Sequence, residues 1–111
     1  TKEMEKALEL YEDAYGQWRT FFELWRFSFL DEDSNNAKKY AEKLVKLQPE
    51  YPQSYIGYLA TFEKGNNIKS MKVKLMELLP NFSPAMIKNF HSWIREDQAD
   101  KIIESLRRHI K

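Results

Sequence analysis

AKKYAEKLVKLQPEYPQSYIGYLATF, residues 37–62, decides the fold. In its first half Ala37, Tyr40, Ala41, Leu44, Val45 and Leu47 recur at helical spacing, with Lys38, Lys39, Glu42, Lys43 and Lys46 on the opposite face. Pro49 stops that helix. Pro52 then stands where a first helical turn tolerates a missing N–H, and Tyr55, Tyr58, Leu59 and Phe62 supply the next stripe until Gly65 offers a C-terminal cap. The stretch reads as the second helix of one helical hairpin followed by the first helix of the next.

These residues carry a family resemblance. The tetratricopeptide repeat (TPR) is a helix-turn-helix unit of 34 residues with small or apolar residues at fixed places and a proline at its end. Ala37, Ala41, Leu44 and Pro49 resemble its second-helix positions, and Tyr55, Leu59 and Phe62 resemble the large, medium and aromatic first-helix positions that follow. Trp18, Phe22 and Trp25 repeat that spacing one unit earlier, and Met71, Leu75 and Leu78 echo the second helix one unit later. The first interval is about three residues longer than the repeat and the last about three shorter, and no glycine follows the large residue. The resemblance covers residues 18–80 and implies an all-α fold: antiparallel helical hairpins stacked as a short TPR-like right-handed α-solenoid with a C-terminal capping helix pair.

The 111 residues are 42% apolar and 32% charged, a composition that fits one soluble domain. It is divided as a half repeat or capping helix over 1–16, a repeat over 17–49, a shortened repeat over 50–80 and capping helices over 81–111. No segment reads as a membrane span or a signal peptide, so a cytoplasmic location without membrane contact is expected. Thr1 in place of Met reads as the start of an excised piece. The absence of cysteine excludes disulfides, thiol nucleophiles and cysteine-based zinc sites. Residues 1–36 hold four basic and nine acidic side chains, residues 37–111 fourteen and eight, which is −5 against +6. Such an asymmetry suits charged partners or head-to-tail association, and equally two solvated surfaces that differ.

Met4, Ala7, Leu8, Tyr11, Ala14 and Tyr15 form a first helical stripe, as in a half repeat. In WRTFFELWRFSFL, residues 18–30, Trp18, Phe21, Phe22, Trp25 and Phe29 share about 100° of arc while Leu24, Phe27 and Leu30 lie outside it. A first helix in a repeat touches two neighbours, which accounts for two apolar faces. The alternative is a contact patch at Leu24, Phe27 and Leu30 that pairs two copies of the chain.

Asp31, Asp33, Asn35 and Glu42 follow most of the calcium-loop pattern, yet Asn36 replaces its glycine and Lys38 its apolar residue. With Ala37 to Leu47 already helical, the segment is an acidic turn with Ser34 or Asn36 as N-cap, and no metal is expected. Asn66 or Asn67 caps a helix with Ile68, Met71, Leu75, Leu78 and Leu79 inward and Lys69, Lys72 and Lys74 outward. No aromatic is interleaved with those lysines, so direct nucleic-acid binding is not expected. Ser83 and Pro84 open a short helix to about Trp93 that buries Met86, Ile87 and Phe90, with Ile94 as a further candidate. Asp97 caps a last helix with Ile102, Ile103, Leu106 and Ile110 inward, and Arg107, Arg108 and Lys111 complement its C-terminal dipole.

Leu79-Pro-Asn-Phe-Ser83, Asp97-Gln-Ala-Asp100 and Ile102-Ile-Glu-Ser-Leu-Arg-Arg108 resemble the ending of TPR regions at the C-termini of bacterial adenylate-cyclase-like proteins and winged-helix regulators. Ser105 stands where that ending usually has glycine. This resemblance implies the C-terminal sensing or docking part of a larger bacterial signalling or transcription-regulatory protein.

His91 and His109 belong to no catalytic pattern, and three glycines leave no phosphate loop, so neither an enzyme nor a cofactor is expected. TPR arrays commonly bind a protein or peptide along the concave face of their first helices. The positions that line that groove map onto Arg19, Glu23 and Arg26, then Ile56, Ala60 and Glu63. These residues lack the lysine and asparagine set that clamps a C-terminal carboxylate in some members. The competing expectation is a homodimerisation domain acting through the aromatic N-terminal half.

Overall fold

Local signals place each helix where its ends can be closed. The computed structural model of the chain describes residues 14–65, 67–89 and 96–110. These form α1 (Ala14–Leu30), α2 (Ser34–Leu47), α3 (Pro52–Thr61), α4 (Ile68–Leu78), a 3-10 helix (Pro84–Asn89) and α5 (Glu96–Leu106), with no strand among them. The stripe expected over residues 3–15 lies outside the described residues, apart from the backbone of Ala14 and Tyr15.

The end of α1 is a Schellman turn: Asp33 N–H donates to Ser28 O at 2.8 Å and Glu32 N–H to Phe29 O at 3.3 Å. Glu32 occupies the left-handed position, φ 59°, that glycine usually fills. The next helix starts earlier than its apolar stripe does. Asp33, rather than Ser34 or Asn36, caps α2, its carboxylate accepting from Asn36 N–H and from Asn36 Nδ2 at 2.8 Å. Pro52 opens α3 as expected. That helix closes at Thr61, so Phe62 is extended and Gly65, φ 144°, lies in the turn beyond. Asn67 precedes α4 without a side-chain cap bond.

Packing runs α1 on α2, α2 on α3 and α3 on α4, while α1 also touches α3 and α5 packs on both α3 and the 3-10 helix. Ala37, Tyr40, Ala41 and Leu44 of α2 are all buried, as their period requires. Between α1 and α3 the register is explicit. Trp18 Nε1 donates to Ser54 Oγ at 2.8 Å and Trp25 Nε1 to Thr61 Oγ1 at 2.7 Å, each across 36 positions. Two turns along α1 match two turns along α3, so these helices run in the same direction. Gly57 lies between the two bonds, and a Cβ there would meet Leu44 Cδ1 at 3.1 Å and Trp25 Cε2 at 3.5 Å. That glycine allows α3 to approach closely.

The far side of the molecule is more lightly packed. Of the expected α4 stripe only Leu75 is buried; Ile68, Met71, Leu78 and Leu79 are half-buried, and Val73 is 50% exposed. The segment after Ser83 is a 3-10 helix that buries Pro84 and Ile87, and Met86 is half-buried; Phe90 and Trp93 lie outside the described residues. In α5, Ile102, Ile103 and Leu106 are buried, as is Ile110 beyond its end. Asp97 lies within that helix.

Candidate functional site

The six groove positions separate into three environments. On α1, Arg19 is exposed, and Glu23 and Arg26 are half-buried and ion-paired with each other one turn apart. On α3, Ile56 is 0% and Ala60 1% exposed, so neither offers a surface to a partner. Both belong to the core that α5 joins. Glu63, one residue past the extended Phe62, is exposed and its Oε1 accepts from Arg108 Nη1 at 2.9 Å. The structure therefore leaves Arg19 exposed, holds Glu23 and Arg26 half-buried in their own ion pair, and closes Ile56 and Ala60.

The expected contact patch also divides. Leu24 is buried, 1% exposed, because α1 presents a second apolar face to its own core. Leu30 is half-buried. Phe27 is 55% exposed, with the Arg26 guanidinium carbon 5.4 Å from its ring centroid. The exposed surface of α1 thus includes Arg19 and the Phe27 ring, with the half-buried Glu23–Arg26 pair between them in sequence.

A second group of residues gathers at the carbonyl ends of α1 and α3. Lys101 Nζ donates to Phe29 O and Leu30 O, both at 3.2 Å, and lies 3.7 Å from Glu32. Arg108 Nη2 donates to Ala60 O at 2.9 Å, and His109 Nε2 is 2.7 Å from Phe62 O. Cations at helix C-termini satisfy unpaired carbonyls and complement the dipole, but here Lys101 of α5 and Arg108 just past its end do so for the neighbouring helices. The sequence alone assigns Arg108 to its own helix. Nothing in the local sequence marks it, or the lone His109, as a cap for α3, because the pairing spans 48 and 47 positions.

The acidic turn has its own local use. Asp33 caps α2 and Glu42 stands on the exposed side of that helix. Among the described residues no three acidic or histidine side chains come together as a metal site would require. No helix among them is long and apolar enough to cross a membrane. Tyr55 is buried in the α2–α3 corner, with its hydroxyl donating to Pro49 O. Burial raises its pKa, with Lys74 opposing and Glu50 adding to the rise.

Comparison with protein-family models, with curated proteins and with solved structures finds no match.

Proposed function

We propose that this chain is a TPR-like protein-interaction module that docks a protein or peptide on the exposed side of α1, as the C-terminal sensing or docking part of a larger bacterial signalling or regulatory protein. The observation that carries the reading is the common direction and constant register of α1 and α3, fixed by the Trp18–Ser54 and Trp25–Thr61 bonds. First helices of successive repeats stand side by side in this way and share one binding face. On that face Arg19 is exposed beside the half-buried Glu23–Arg26 ion pair, and Phe27 adds an aromatic anchor of the kind that dominates binding energy.

Two variants test it. Arg19→Glu with Arg26→Glu reverses the charge of the face, and Phe27→Asp removes the anchor. A partner captured by the wild-type domain is expected to be lost by both variants, with the melting temperature of Phe27→Asp near the wild-type value. Retention of that partner by the double charge reversal would remove the reading.

The exposed ring of Phe27 also favours a second reading, in which α1 pairs with α1 of another copy and the domain serves to dimerise its parent chain. A dimer that dissociates when Phe27 becomes Asp would support that reading instead.

A further inference from the structure

We propose that the outer flank of α4 docks an amphipathic α-helix of a partner protein, with the carboxylates of that helix against Lys69 and Lys72, independently of docking on α1. Helices α1 to α4 pack each on the next, but α5 lies on α3 and the 3-10 helix rather than along α4. A helix laid against α4 would continue the order of packing that α5 abandons. Lys69, Lys72, Val73, Met76 and Glu77 line an open groove of about 450 Å³ on this flank. They recur three and four positions apart, which puts them on one side of the helix.

Val73 is the decisive residue. Together with Phe27 it makes up the exposed large apolar side chains among the described residues, and Met76 beside it is half-buried. Apolar surface at water gains from being covered, and the shape of the groove selects what covers it. All five lining residues belong to α4, so a small molecule would find one wall, whereas ligand sites enclose most of their ligand. A helix brings its own apolar ridge and needs one wall only, seating its side chains between Val73 and Met76 as packed helices do.

Charge specifies the partner helix. Lys69 and Lys72 are exposed with no ion-pair partner among the described residues, whereas Lys74 turns to Glu50 at 3.4 Å. The first turn of α4 holds no acidic side chain and Asn67 gives it no side-chain cap, so Lys69 adds to the positive end of the helix dipole, with Lys72 one turn on. Carboxylates from outside relieve that concentration of like charge. Glu77 stands at the other end of the groove. The fitting helix therefore carries Asp or Glu against Lys69 and Lys72, an apolar ridge against Val73 and Met76, and Lys or Arg against Glu77. The same Glu77, and an apolar strip of two side chains, suit an anionic membrane poorly, since helices that lie on one have a broad apolar face and a basic polar one.

The test is a titration of the whole chain with a stapled amphipathic helical peptide bearing a leucine ridge, glutamates beside it at one end and a lysine at the other, followed by amide NMR shifts. The same peptide with its glutamates replaced by lysines is the control. The acidic peptide is expected to give saturable shifts in α4 that weaken as salt is raised, and the control none. Val73→Asp changes an exposed position, so it is expected to keep the fold and to weaken binding about tenfold. Lys69→Glu with Lys72→Glu is expected to lose the acidic peptide and to gain the control. Phe27→Asp is expected to leave the affinity unchanged, which separates this flank from the α1 face. Absence of saturable shifts, equal binding of the two peptides, wild-type affinity in Val73→Asp, or loss of binding in Phe27→Asp would each overturn the proposal. So would a dimer that Val73→Asp disperses, which would put a second copy on the flank, or α4-dependent binding to vesicles of phosphatidylcholine and phosphatidylserine in equal parts, which would put a lipid surface there.

Discussion

Ser54 joins three helices. It is fully buried and accepts from Trp18, while its hydroxyl hydrogen is shared between Gln48 O at 2.8 Å and Leu44 O at 3.1 Å at the end of α2. Ser54→Ala leaves the indole N–H and those carbonyls without their side-chain partner, and an unsatisfied buried group costs about 1–3 kcal/mol. We expect urea unfolding to show a loss of about 2 kcal/mol, and an unchanged stability would contradict the role given to the bond. Glu32 works in the opposite direction, since an L-residue in the left-handed region costs about 1–2 kcal/mol. Its ion pair with Lys101 is exposed at the Glu32 end and adds little. Glu32→Gly is therefore expected to raise stability by about 1 kcal/mol in the same assay. Tyr55 gives the pH dependence. Burial raises its folded pKa, so the neutral phenol is the form the fold favours. That contribution is complete below the unfolded tyrosine value of about pH 10 and is lost as pH rises through the folded value. Alkaline unfolding followed in wild type and Tyr55→Phe should show the steeper decline above about pH 10 in the wild type alone.

At the scale of elements, the helices differ in how much holds them. All but the first two and the last residue of α3 are buried, whereas α4 buries only Leu75 and presents Val73 to solvent. Hydrogen exchange is expected to be slowest in α3 and markedly faster in α4, because local opening is easiest where few apolar contacts are broken. Equal protection in both helices would contradict this ordering. The same contrast shows what is legible in the sequence. The α2 stripe is readable because period alone determines which side of an isolated amphipathic helix turns inward. Its start is not, because Asp33, Ser34 and Asn36 are all good caps and only the preceding Schellman turn selects Asp33. The early end of α3 is equally hidden, since Arg108 and His109 satisfy the carbonyls of Ala60 and Phe62 from 48 and 47 positions away.

For the whole molecule, the position of α5 determines the surface that remains. This helix joins the core to which Ile56 and Ala60 belong, so these two expected groove positions are closed. Repeat spacing in the sequence picks out the groove positions but not that closure, which depends on a helix beginning forty positions after Ile56. Phe27 is legible only as a residue outside the main arc of α1; its companion Leu24 has the same signature and is buried. Angular position on one helix does not specify which neighbour covers it. On the proposed reading, the exposed Arg19 and Phe27 of α1 would meet either a partner or their counterparts in a second copy. Light scattering over a wide concentration range separates these most directly. A face kept free for a partner predicts a mass near 13.4 kDa at every concentration, unchanged in Phe27→Asp. A concentration-dependent dimer that reverts to monomer in Phe27→Asp would contradict it and make self-association the use of this face.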